Sequence, residues 1–174
     1  MTQDEIFMQE AISLAREAEK LGEVPIGCVI TKGDTIVGRG YNRRETGKSA
    51  LNHAEIMAID EACRTLGGWR LWQCRLYVTL EPCPMCAGAI INARIPVVVY
   101  GAKDPKAGSV DSVIEMFSLP YNHKPQVISG VLEEACGDLL RQFFRSLREK
   151  KKCARTLSQN VENIDKNMFS GYDK

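Results

Sequence analysis

The run Pro96-Val97-Val98-Val99-Tyr100 has no polar alternation, and a strand this apolar cannot stand half-exposed. It must be covered on both faces, so the other segments have to supply helices to two sides of a sheet. The remaining pattern agrees. Thr2-x-x-Glu5 forms a capping box ahead of Phe7, Ala11, Leu14, Ala15 and Ala18 at helical spacing, with Gly22 as the stop. Residues 24–30 and 35–40 flank the turn Lys32-Gly33-Asp34 and read as a hairpin; residues 42–50 read as a loop. A second helix is expected over 53–66, burying Ala54, Met57, Ala58, Ala62 and Leu66, with Gly67-Gly68 ending it. Residues 75–80 are a strand, a third helix runs from Cys83 to about Asn92, and 101–109 is a loop rich in turn residues. Residues 111–117 are expected to be a short helix, 126–129 a fifth strand, and 132–152 a helix closing on Arg-Glu-Lys-Lys-Lys. Helices alternating with strands predict an α/β domain with helices on both faces of the sheet.

With 174 residues, 44% hydrophobic and 26% charged, the chain is expected to form one domain over 1–152, followed by a polar tail, 153–174, that is loosely ordered or a short docked helix. Lys and Arg total 23 against 22 Asp and Glu, so net charge alone does not point to a nucleic-acid partner. Local clustering does: residues 141–155 hold seven basic side chains against the single acid Glu149, interleaved with Phe143 and Phe144. The first twenty residues carry early acids and no long apolar core, so neither a signal peptide nor a membrane anchor is expected, and a cytoplasmic location is. Seven cysteines without an export signal point to reduced thiols or metal ligands.

Cys83-Pro84-Met85-Cys86 can be half of a zinc knuckle, a redox dithiol, or two ligands of a catalytic metal. A closed zinc site needs four protein ligands, yet the chain has no second Cys-x-x-Cys and no His pair. Its histidines are His53 and His123. His53 with Cys83 and Cys86 makes three ligands and leaves a tetrahedral position for water, the arrangement of a catalytic zinc. Glu55, two residues after His53, is off the ligand face but within reach of that water, which makes it the candidate general acid and base.

The pair His53-x-Glu55 and Pro82-Cys83-x-x-Cys86 matches the zinc nucleobase-deaminase pattern. With "EVPIGCVI", "GYNRRE", "HAEIMAI", "LYVTLEPCPMCAGAIINARI", "VVYGAKDPKAGS" and "FFRSLREKK", residues 2–152 resemble the bacterial tRNA-specific adenosine deaminases of the cytidine/deoxycytidylate deaminase superfamily. The resemblance implies a three-layer α/β/α cytidine-deaminase-like fold on a five-stranded mixed sheet, a homodimer, one zinc per subunit, and conversion of adenosine to inosine at the wobble position of a tRNA anticodon. It implies His53, Cys83 and Cys86 as zinc ligands, Glu55 as proton shuttle and Asn42 as a contact to the target nucleoside. Asp104, Lys106, Phe144 and Arg145 are the further candidates for contacting the RNA.

Two other readings stay open on sequence alone. One is a deaminase of a free base or nucleotide such as guanine, cytidine or deoxycytidylate. The other is an RNA-binding module with a structural zinc completed by Cys74 or His123. Cys28, Cys63 and Cys74 read as small core or boundary residues, Trp69 and Trp72 as packing residues with a subunit interface as one place for them, and His123 as a surface or substrate-proximal loop residue. Gly38-x-Gly40 lacks the third glycine and the following helix of a dinucleotide motif.

Overall fold

α1 (Gln3–Lys20) opens on the expected capping box: Glu5 N donates to Thr2 Oγ1 at 3.2 Å, and Thr2 N to Glu5 Oε2 at 2.7 Å. The computed structural model describes the backbone of residues 1–169 and the side chains of residues 1–156. After α1 come β1 (Gly27–Lys32), β2 (Thr35–Tyr41), α2 (Ala54–Leu66), β3 (Cys74–Leu80), α3 (Pro84–Ala93), β4 (Val97–Ala102), β5 (Gln126–Ser129) and α4 (Glu133–Phe169). The sheet has order β2-β1-β3-β4-β5; β1 is antiparallel to β2 and β3, while β3–β4 and β4–β5 are parallel. The chain divides into two compact units, Met1–Leu140 and the part from Arg141 onward.

Alternation along the central strands divides the core of the first unit between two faces. Cys28, Ile30, Leu76, Val78, Val98 and Tyr100 join residues of α2 and α3 on one side; Val29, Tyr77 and Val99 join Phe7, Met8, Ala11, Ile12 and Ala15 of α1 on the other. Cys136 and Leu139, from the start of α4, share the α1 side. Val98, Val99 and Tyr100 have no exposed surface, so the apolar run that requires two covered faces has them. The result is the expected three-layer α/β/α arrangement around a mixed sheet.

Gly38 and Gly40 serve this packing. A Cβ on Gly40 would lie 2.0 Å from the Ala54 carbonyl oxygen, and one on Gly38 2.3 Å from that of Ala58, so α2 rests directly on the backbone of β2. Because the obstacle is backbone, no rotamer change relieves it. Gly40→Ala is expected to cost about 1–3 kcal/mol by overpacking, measured as a lower Tm; an unchanged Tm contradicts the close approach.

Residues 111–117 depart from the expected helix: only Met116–Ser118 forms a 3₁₀ turn. The Glu81 carboxylate takes the backbone N–H groups of Val110, Asp111 and Ser112, which leaves that stretch organised around a side chain instead of an i→i+4 ladder. α4 runs past the expected end at residue 152 to Phe169; from Asp138 to Phe169 there is neither glycine nor proline to stop it. Residues 170–174 of the expected tail lie outside the described residues. Trp69 and Trp72, read from sequence as packing residues, are 52% and 63% exposed in the chain.

Candidate active site

His53 is the N-cap of α2 and Cys83 the N-cap of α3, so two separate chain segments deliver side chains at helix N-termini, where unpaired N–H groups and the helix dipole favour anions. Cys86 follows one turn into α3 and is fully buried. Pro84 at the first helical position presets the turn between the two cysteines. Both Cys83 Sγ and Cys86 Sγ lie 3.6 Å from His53 Nδ1, and the three ligand atoms are all within 4.8 Å of one another. Zn–S bonds of about 2.3 Å and a Zn–N bond of about 2.0–2.1 Å at tetrahedral angles require a sulfur–nitrogen separation of about 3.6 Å. The donor set fits zinc in both kind and spacing.

The electrostatics point the same way. The Cys86 thiol, donating to Cys83, holds the Cys83 thiol down at about 4, while that same bond and burial push Cys86 far above the ordinary thiol value. His53 is raised by its hydrogen bond to Cys83. Two thiolates side by side repel, and a dication among them makes both into ligands. Glu55, 4% exposed, is raised to about 7, chiefly by burial and then by the neighbouring Cys83 charge; the Cys86 thiol reaches its carboxylate. A carboxyl beside the metal position, shielded from bulk water and poised near neutrality, is suited to holding and releasing a proton.

Two loops flank this triad. Arg43 N donates to the Asn52 carbonyl at 3.0 Å and closes the first, leaving Asn42 and His53 on either side of its neck. Asn42 is buried, its Nδ2 donating to the Val24 carbonyl at 3.2 Å and its Oδ1 accepting from Arg44 N at 3.4 Å. In the second loop, Asp104 Oδ1 accepts from the backbone of Lys106 and Ala107 at 3.0 and 3.2 Å, so its carboxylate shapes its own turn, while Lys106 is exposed. Ser109 N donates to the Pro82 carbonyl at 2.8 Å and ties this loop to the cysteine segment.

Reading the sequence missed Glu23 and Glu81, both buried and both accepting hydrogen bonds from these loops. The available signal was an acid directly after the apolar strand 75–80 and directly before Pro82-Cys83. The second unit carries Phe144 and Arg145. Phe144 is 41% exposed and meets half-buried Phe143 edge-on, ring centroids 5.4 Å apart; Arg145, Arg148, Lys150, Lys151, Lys152 and Arg155 are all exposed. Cys28 and Cys74 are buried as expected and Cys63 is half-buried. His123 Nε2 bonds to the Ile95 carbonyl at 2.8 Å, which pins its loop to the connection between α3 and β4. Among the described residues, neither His123 nor Cys74 joins the His53–Cys83–Cys86 group.

An open mixed sheet with helices on both faces, a His and two Cys at two helix N-termini and a buried Glu beside them defines a class, the zinc-dependent hydrolytic deaminases. The family model of the cytidine and deoxycytidylate deaminase zinc-binding region matches residues 1–102, and the chain belongs to that family. The tRNA-specific adenosine deaminase of Bacillus subtilis (strain 168) is 53% identical over 156 residues, 89% of this chain and 97% of that protein. A solved structure from a study of A-to-I editing by tRNA:A34 deaminases at the wobble position is 45% identical, with a TM-score of 0.75 over 77% of this chain and 98% of the other. A guanine deaminase from Bacillus subtilis shares the fold more distantly, at 38% identity and a TM-score of 0.57 over 70% of this chain and 77% of its own.

Proposed function

We propose that this protein hydrolyses adenosine to inosine at the wobble position of a tRNA anticodon. The chemistry is carried by one observation, the His53–Cys83–Cys86 triad at zinc-fitting separations with buried Glu55 against it. The choice of RNA as substrate is supported by likeness to tRNA deaminases aligned over almost their whole length.

His53, Cys83 and Cys86 would hold zinc, which would supply the Lewis acidity that lowers the pKa of water to about 7. Glu55 takes the proton of the attacking water on its carboxylate and passes it to a ring nitrogen of adenine, which makes C6 electrophilic. The water oxygen bonds to C6, Glu55 takes the second proton from that oxygen and delivers it to the exocyclic nitrogen, the C6–N6 bond breaks and ammonia leaves. The carbonyl of hypoxanthine remains. Asn42, fixed by Val24 and Arg44, orients the nucleoside, and Asp104 and Lys106 contact the RNA around it; Phe144 and Arg145, on the second unit, are further RNA contacts. An anticodon loop suits such a site because its bases are already partly unstacked.

The same reading places the deaminase domain at residues 1–152, a size close to the 156 and 152 residues over which two relatives align, and the protein in the cytoplasm as a homodimer. Support for the dimer is the exposed apolar surface of Leu51, Trp69, Trp72, Val113 and Ile114. The test is inosine formation in an anticodon stem-loop RNA, set beside a DNA mimic and free nucleosides and bases. Turnover on the RNA is expected; ammonia release from free bases with none from RNA overturns the proposal in favour of a nucleobase deaminase.

A further inference from the structure

Glu23 and Glu81 are 1% and 2% exposed, and among the described residues neither makes an ion pair. Their partners are backbone amides together with the Ser112 and Thr46 hydroxyls. The Glu81 carboxylate accepts from Asp104 N at 3.0 Å, Val110 N at 3.2 Å, Asp111 N at 2.8 Å, Ser112 N at 2.9 Å and the Ser112 hydroxyl. Gly108 packs so tightly on it that a Cβ there would lie 2.3 Å from the carboxyl carbon. Glu23 accepts from Thr46 N at 2.6 Å and Glu45 N at 3.3 Å. Burying a carboxylate is costly; several N–H donors offset that cost for both groups, and the nearby Arg44 charge adds to them at Glu23.

Both groups of donors lie in the loops that flank the metal triad. Neither loop has a strand ladder through these residues, so their amides need another acceptor. Glu81 is also the residue between Leu80 at the end of β3 and Pro82-Cys83. Its backbone leads into a metal ligand while its side chain holds the loop of Asp104 and Lys106. Glu23 sits between α1 and β1 and holds the loop whose neck is Asn42 and His53.

We propose that Glu23 and Glu81 are positioning residues that set these two loops at the separation an unstacked RNA nucleotide needs to reach the metal centre. The inference rests on the RNA-deaminase reading above. Its test uses the full chain with zinc bound and the variants Glu23→Gln and Glu81→Gln, which keep shape but replace one acceptor oxygen with a donor. The expected result is a KM for the anticodon stem-loop raised about tenfold, equivalent to about 1.4 kcal/mol, with kcat within about twofold and zinc content unchanged. Amide exchange should quicken at residues 45–46 in the first variant and at 104 and 110–112 in the second.

An unchanged KM, or a loss of kcat that tracks loss of zinc at unchanged KM, overturns the proposal. Should Glu81→Gln fail to fold, Ser112→Ala removes a single donor to the same carboxylate. A KM raised about threefold then supports the role, since one lost hydrogen bond is worth about 0.5–1.5 kcal/mol, and an unchanged KM overturns it. Wild-type protein assayed in parallel separates the two levels. If it forms no inosine in RNA the substrate reading falls, and the exchange measurement still decides the loops: unaltered protection in both Gln variants overturns the proposal by itself.

Discussion

Glu55→Ala is expected to retain zinc and fold while losing deamination by a factor on the order of 10²–10⁴, the usual contribution of a positioned acid–base group. The expectation follows from where Glu55 lies. It is buried in the first turn of α2, one residue beyond the helix position after His53, with its carboxylate against the Cys86 thiol and outside the ligand triad. Burial raises it to about 7, so the native state already bears the cost of a shielded acid, and removing it should not unfold the chain. Glu55→Gln, nearly isosteric, should be as inactive, because an amide cannot take the proton of water. The measurements are inosine formation, metal content and Tm on the same preparations. Activity of either variant within about tenfold of wild type would remove Glu55 from the mechanism.

The opposite signature is expected for the ligands. Cys86→Ser should lose zinc, activity and stability together, and Cys83→Ser should do the same to a smaller extent because Cys83 is only half-buried. Metal affinity depends on thiolate donors, and an ion that binds only the folded state stabilises it by mass action, about 4 kcal/mol at a thousandfold excess over Kd. Chelation of the wild-type protein should therefore lower Tm, and added zinc should restore it together with activity. Full metal content in Cys86→Ser would show that the triad is not the zinc site. The contrast between the variants is the decisive part: Glu55 lost with zinc retained, Cys86 lost with zinc gone. A purely structural zinc predicts no such separation, and among the described residues no fourth protein ligand accompanies the triad.

Much of the fold could be read directly because the strongest signals were local and periodic. The capping box of α1, the boundaries of α2 and α3 and the strand at residues 126–129 all follow from cap residues or apolar spacing. Prediction failed where a distant side chain replaced the local pattern. Residues 111–117 were expected to be a short helix, but the amides of Val110, Asp111 and Ser112 are taken by Glu81, about thirty residues earlier. Trp69 and Trp72, read as packing residues with a subunit interface as one place for them, are exposed on the loop between α2 and β3, so the core of this chain is not where they pack. Gly38 and Gly40, which lack the rest of a dinucleotide motif, had no role assigned from the sequence. Only the approach of α2 to within a missing Cβ explains them.

The sequence by itself determined the donor types, their order and the helix N-termini on which they sit, because caps, the Cys-x-x-Cys spacing and the His-x-Glu spacing are set within a single turn of chain. Only the tertiary structure decided that His53, 30 residues before Cys83, comes to 3.6 Å from both sulfurs. That convergence depends on α2 lying flat on β2 and on β3 pairing beside β1, and such pairings are made by burial between segments with no local trace of each other. The tertiary structure also decided that Glu23 and Glu81 belong to the site. A lone acid in a sequence reads as surface, and the amides that make these two worth burying arrive only when the loops fold over them.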